Sequence, residues 1–300
     1  MNSRTLFRWS LFPILVATVF LLNRFFLESQ FYMLKELRYF LLYLIAVPVL
    51  VIEYVTTNNR ADGSYRNFLR DLVWVSLCVV GIDWVVGDQW RAQMISGLRT
   101  MELPGRLFSS NDLGPFWLQV FGYFMLVNFL KYWSHRMIHR FNFLWRFHAL
   151  HHSIKEYYAL NSIYNHPVDY FVRVVIPTFL SWYVGWRFDA IFTADCFAIL
   201  IIWVSHSNAS FRYPRFFKYL ITTNDLHHWH HHPKVGIKNN FSTSVAFYDL
   251  IFGSFFLPRD GRRPTQVGLY RKASYPQQGF WNLMLYPFRS QTRKETSSEQ

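Results

Sequence analysis

All twelve histidines of this 300-residue chain fall between His135 and His232. They form patterned groups: His135 and His139; His148, His151 and His152; then His227, His228, His230, His231 and His232, with His166 and His206 standing singly. A spacing of four puts His135 and His139 on one face of a helix, close enough to share a metal ion or to bind two neighbouring ones. The second group is spaced i, i+3, i+4, and the third contains the same spacing. Three such groups converge many ring nitrogens on one place. Imidazole suits iron, zinc, copper or nickel, so ligand type leaves the metal open.

The surrounding residues narrow the chemistry. A zinc hydrolase pairs a His-Glu-x-x-His helix with its general base, and no glutamate lies between His135 and His139 or inside the later groups. The repeated Glu-x-x-His of soluble two-iron carboxylate proteins is missing as well. An all-nitrogen cluster large enough for two metals, at the end of membrane helices, suits activation of dioxygen against an unactivated C–H bond. A lone histidine is more often a surface or hydrogen-bonded core residue, and His166 and His206 taken singly carry no more weight than that. The run His230–His232 could be a solvated loop, but its spacing repeats that of an earlier group.

The elements that must carry these residues are apolar. Hydrophobic residues make up 52% of the chain and charged ones only 16%, which is unusual for a soluble domain and ordinary for a multi-pass membrane protein. The formal charge of +13 forms no stripe suited to nucleic acid; the cations flank apolar runs, as at Arg4 and Arg8, at Arg60, Arg66 and Arg70, and at Arg259, Arg262, Arg263, Arg271 and Lys272. Cys78 and Cys196 lie inside apolar runs and build no disulfide framework. The runs are Trp9–Phe26, read as a retained anchor, Leu37–Val55, Leu72–Val86 with Asp83 inside it, Phe116–Trp133, Tyr170–Trp186 and Ile191–Val204. The tight Gly185–Asp189 connection predicts a helical hairpin from the last two. The expected fold is all-α: a polytopic membrane bundle of four to six helices with a histidine-rich di-metal cap. With six, both termini share the histidines' side, and the basic tail makes that side cytoplasmic.

The stretches Tyr132–His139, Leu144–Ser153, His166–Asp169, His206–Asn208, Thr223–His231 and Lys238–Gly253 resemble, in order, the histidine boxes of the fatty acid hydroxylase superfamily, which includes sterol desaturases, sterol methyl oxidases and alkylglycerol monooxygenase. The resemblance covers about Phe116 to Phe256 and divides the chain into an N-terminal transmembrane region at 1–113, a catalytic domain at 114–258 and a basic cytoplasmic tail at 259–300. The third box reads either as His227, His230, His231 or as His228, His231, His232, and the Thr223 and Leu226 context favours the first. Three positions depart from the family: Asn128 stands where an acid is usual, Asn224 replaces a proline, and Ile202 stands where some relatives have a further histidine.

The resemblance implies two iron ions held by His135, His139, His148, His151, His152, His206, His227, His230 and His231, dioxygen as co-substrate, and an external electron donor, either a protein or a reduced pterin. It implies hydroxylation or desaturation of a lipid such as a fatty acyl chain or sterol, in the bacterial inner membrane or the endoplasmic reticulum. Asp169 and Asp225 are candidates for orienting ligands or for purely structural roles. The competing readings are a histidine-rich zinc transporter and a non-catalytic scaffold, against which stand the absence of paired intramembrane acids and the fullness of the boxes.

Overall fold

An apolar run becomes helix where its backbone must be satisfied away from water, because a helix pairs its own N–H and C=O groups. A computed structural model of the protein describes residues 3–30, 35–56, 72–74, 88–154, 157–260, 262–269 and 280–289, and among the described residues all regular structure is helical. In chain order the helices are α1 (Ser3–Glu28), α2 (Lys35–Thr56), α3 (Asp88–Thr100), α4 (Phe116–Arg140), α5 (Asn142–His152) and α6 (Pro167–Tyr170). A π-helical stretch, Phe171–Val175, carries α6 into α7 (Ile176–Trp182); then come α8 (Phe188–His206), α9 (Phe217–Leu220), α10 (Asn224–His230), α11 (Phe247–Ile251) and α12 (Phe280–Leu285).

Two of these, α1 and α8, are long and apolar enough to cross a membrane, and Leu44–Thr56 in α2 is a shorter apolar stretch. The Phe116–Trp133 run lies within α4, and the Tyr170–Trp186 run is interrupted by the π-helical stretch. Most of the Leu72–Val86 run, with Cys78 and Asp83, lies outside the described residues.

The centre of the fold is α8. Leu15 and Val19 of α1 and Val49 of α2 pack with its Leu200 and Val204, while Tyr123 and Val127 of α4 pack with its Ala190 and Ala194. The start of α4 is tied to the start of α8 by Gln119. Its amide donates to the Ser110 and Gly114 carbonyls, both at 2.8 Å, and its Oε1 accepts the Arg187 N–H at 2.9 Å. That fully spends a buried carboxamide on setting two helices side by side. The connection between α7 and α8 needs Gly185, with φ of 108°, because a Cβ there would lie 2.2 Å from the Phe108 carbonyl oxygen. With their starts joined, α4 and α8 run in the same direction, and their C-terminal ends deliver His135, His139 and His206 to one place.

Candidate metal centre

Each histidine is delivered by local helical geometry. His135 and His139 occupy the last turns of α4, His148, His151 and His152 the last turns of α5, His206 the last residue of α8, and His227 and His230 lie on α10 with His231 as its C-cap. Thr223 caps α10 by accepting the Leu226 N–H. The nine rings fall into two groups, each with ligand atoms within 4.8 Å of one another: His135, His139, His148, His152 and His230 in the first, and His151, His206, His227 and His231 in the second. Neighbours in sequence are divided between the groups, His151 from His152 and His230 from His231.

Five of the rings are fixed in the same way, with Nδ1–H donating to a group that only accepts. His135 donates to the Phe241 carbonyl (2.7 Å), His148 to Oδ1 of Asp169 (3.0 Å), His151 to the Tyr164 carbonyl (3.3 Å), His206 to the Ile202 carbonyl (3.0 Å) and His230 to the Asn239 carbonyl (2.9 Å). With the proton on Nδ1, each neutral ring presents a bare Nε2 lone pair. The Nε2 atoms converge: Nε2 to Nε2 is 3.0 Å for His135 and His148, 3.2 Å for His148 and His152, 3.4 Å for His151 and His206, and 2.9 Å for His206 and His227. In the pairs His135–His148 and His151–His206 both rings carry the proton on Nδ1, so two acceptors face each other and repel, and a shared cation turns that contact into an attraction. Metal–imidazole bonds of about 2.0–2.1 Å place adjacent ligand nitrogens about 2.9–3.4 Å apart, which is the spacing present. Both ring nitrogens of His139 and His231, and Nε2 of His230, are buried without a hydrogen-bond partner, as a metal ligand would be.

Burial pushes the imidazoles of His151, His152, His227 and His231 well below their ordinary range and that of His230 to about 3, and it lowers His148 too although Asp169 opposes it, so each stays in the neutral form that ligates a metal. A depressed histidine pKa means that the unfolded chain takes up protons that the folded one refuses. Stability is therefore complete above about pH 6.5 and falls as pH drops below it, by up to about 1.4 kcal/mol per pH unit per ring. The thermal midpoint and the bound metal are both expected to fall steeply between pH 6.5 and 5. A flat profile over that range, followed by differential scanning fluorimetry and elemental analysis, would contradict a buried neutral cluster.

Three histidines stand apart. His166 caps α6, its Nδ1 accepting the Val168 N–H (3.1 Å) while Nε2–H donates to the Met284 carbonyl (3.3 Å). His228 packs edge-on against Tyr157, ring centroids 3.9 Å apart, and His232 accepts the Lys234 and Val235 N–H groups at the surface. The structure thus brings His227, His230 and His231 together, rather than the alternative set.

The supports are mostly absent from the sequence reading. Asp169 holds His148 and lies 3.5 Å from the Arg173 guanidinium. Burial pushes its carboxyl up, but His148 and Arg173 together outweigh this and hold it below the ordinary carboxylate range. Asp225 makes its contact away from the ligands, accepting from Arg263 at 2.7 Å. Asn128 turns back on α4, its amide donating to the Phe124 carbonyl (2.8 Å). Asp249 accepts from the Phe241 N–H, the Ser242 N–H and the Ser254 hydroxyl, so the strand of chain that supplies carbonyls to His135 and His230 is itself fixed. Gly236 lies so close to α10 that a Cβ would fall 1.5 Å from the His230 carbonyl oxygen.

A cavity of about 600 Å³ opens beside the second group. One face of α8 lines it from Phe188 through Ile191, Asp195, Ala198 and Ile202 to His206, a length of about 27 Å at helical rise. Phe179 and Trp182 of α7 form part of the opposite wall. It is a long, largely apolar chamber that reaches His206 of the second group.

Residues 120–254 match the family model described as fatty acid hydroxylase. The chain is 27% identical over 258 residues to an ornithine lipid hydroxylase of Rhizobium tropici, covering 84% of this chain and 74% of that protein. It is 27% identical over 145 residues to a sphingolipid C4-hydroxylase of Saccharomyces cerevisiae, covering 46% of this chain and 40% of that one. An alkylglycerol monooxygenase of Xenopus tropicalis is 25% identical over 140 residues, covering 44% of this chain and 29% of its own length. No solved structure matches the chain.

Proposed function

We propose, from the premise that residues 120–254 match the fatty acid hydroxylase family, that the chain is a membrane-bound two-iron oxygenase that hydroxylates a lipid. The observation that carries this reading is the pair of facing Nε2 sets at the end of an apolar chamber. His135, His139, His148, His152 and His230 would hold one iron, and His151, His206, His227 and His231 the other. Two irons so held would supply the chemistry of a monooxygenase, in which dioxygen, two electrons from an outside donor and two protons from solvent put one oxygen atom into a substrate C–H bond and release the other as water.

The chain's own residues do the rest. The carbonyls of Phe241, Tyr164, Ile202 and Asn239, with the Asp169 carboxylate, keep the Nδ1 protons in place and the Nε2 atoms turned inward. The apolar wall of α8 excludes water and lays an alkyl chain along a path ending at His206. The histidine end faces the cytoplasm in a multi-pass arrangement in which α4 and the segment from α6 to α7 accompany α1, α2 and α8. The electron donor comes from outside, as a protein or a reduced pterin. Names of the relatives favour a polar membrane lipid as substrate, acted on by hydroxylation rather than desaturation.

The test is the iron content of detergent-purified protein, together with a mass-spectrometric search of membrane lipids for a product that takes its oxygen from labelled dioxygen. About two irons per chain and a labelled lipid alcohol are expected. Stoichiometric zinc, or a lipid profile unchanged by the protein, sinks the reading. A narrower expectation concerns the chamber: Ala198 lines it two turns before His206. Ala198→Trp should leave iron content intact while lowering turnover at least about tenfold or shifting the product towards shorter chains, since misplacement of a substrate by an ångström is that costly. Lipid analysis with unaltered products would show that the chain lies elsewhere.

A further inference from the structure

Glu53 sits near the end of α2, outside the family-matched segment, and is 7% exposed. Its carboxylate accepts two backbone N–H groups, that of Ala159 at 3.0 Å and that of Asn208. Asn208 follows His206 by two residues. Ala159 opens the 3-10 turn Ala159–Ile163, which leads directly to Tyr164, whose carbonyl fixes His151. Both contacts therefore bear on rings of the second group. From other directions the turn after His206 is held by its carbonyls: Arg263 donates to those of Asn208 (3.5 Å) and Ala209 (3.0 Å), and Asn224 donates to that of Ala209 (2.8 Å). The first group draws its supports elsewhere, from Asp169, Asn239 and Phe241.

We propose that Glu53 is a positioning residue for the second metal centre alone, so that an N-terminal membrane helix governs the occupancy of one of two neighbouring sites. The proposal rests on the two-metal reading above. A carboxylate receiving two buried N–H groups cannot be replaced by an apolar side chain without orphaning both donors, and the two segments they belong to then lose their common anchor. In the second group, Nε2 of His151 and Nε2 of His206 are 3.4 Å apart, the widest of the four Nε2–Nε2 contacts; His206 adjoins one anchored segment, and His151 is held by the other through the Tyr164 carbonyl. A shift of either segment separates them. Glutamine keeps one acceptor oxygen and so preserves part of the anchor.

The test compares full-length wild type, Glu53→Leu, Glu53→Gln, His148→Ala and the Glu53→Leu/His148→Ala double variant, purified in detergent. Iron per chain is measured by elemental analysis, and amide hydrogen exchange is followed in peptides covering 157–164 and 206–210. Expected are two irons in the wild type, one in Glu53→Leu, one in His148→Ala and none in the double variant, with Glu53→Gln above one. Exchange in the two peptides should quicken about tenfold in Glu53→Leu while peptides covering 132–140 are unchanged. Fewer than two irons in the wild type overturns the two-metal reading and the proposal together. Two irons in both wild type and Glu53→Leu overturns the proposal alone, as does loss of both irons from Glu53→Leu. If Glu53→Leu fails to fold, Glu53→Gln carries the same comparison, and full occupancy with unchanged exchange in that variant counts against the proposal.

Discussion

His148→Ala is expected to remove one metal per chain and to lower oxygen-dependent turnover by more than about a hundredfold, a larger effect than loss of any supporting residue. His148 is the hinge of the first group: its Nε2 lies 3.0 Å from that of His135 and 3.2 Å from that of His152, so it neighbours two other ligand atoms at once. Its ring is fully buried and its Nδ1–H is spent on Asp169, leaving no rotation by which another group could replace it. Asn at the same position fills more of the space than Ala and separates loss of a ligand from creation of a void. His228→Ala is the control, because it deletes a buried imidazole of the third box that belongs to neither group. Iron analysis and product formation decide the matter. Equal losses in His148→Ala and His228→Ala would mean that the boxes act through folding rather than ligation.

Asp169→Ala carries the second largest effect, and it acts through two routes. The carboxylate fixes the tautomer of His148, and loss of such a support typically lowers metal affinity about 10- to 100-fold. It also neutralises Arg173, which is 7% exposed and whose other contact is the Asn165 side chain. Stranding a buried guanidinium costs about 3–5 kcal/mol. Asp169→Ala is therefore expected to lower both iron affinity and the unfolding midpoint. Asp169→Asn, which retains an acceptor for the His148 Nδ1–H but not the charge, should restore most of the affinity and little of the stability. A metal-binding titration beside chemical denaturation separates the two. If both variants bind iron like the wild type, the tautomer of His148 is set by something other than Asp169.

The clustering of the histidines was legible because spacing in a helix is geometry: residues four apart must share a face, and His135 with His139, or His148 with His152, had no other option. What spacing could not supply is the division into two groups. His151 and His152 point about 100° apart on the same turn, and which group each joins depends on where α8 and α10 lie. The supports were illegible for a different reason. Most are backbone carbonyls, which every residue has, so Phe241, Tyr164 and Asn239 leave no mark in composition. The basic stretch after Arg259 read as a tail, yet its described parts return to the boxes: the Gly268 N–H donates to the His231 carbonyl and Arg146 donates to the Tyr286 carbonyl. Glu53 did leave a signal, a single acid inside an apolar run, where an unpaired carboxylate is costly enough to demand a partner.

The division of sequence neighbours between the two centres also bears on how the chain tolerates changes in length. A one-residue insertion ahead of His151 and His152, or between the third-box histidines, would rotate every following ring by about 100°, so that His151 would take the place of His152, or His230 that of His231, while the next ring left both groups. These stretches should accept substitutions outside the nine rings while rejecting any insertion or deletion. The connections that end away from the histidines, such as 101–109, should accept added residues with little consequence. A scan of single-residue insertions, read as iron per chain, would draw the outline of the metal centre along the sequence as a set of intervals of fixed length.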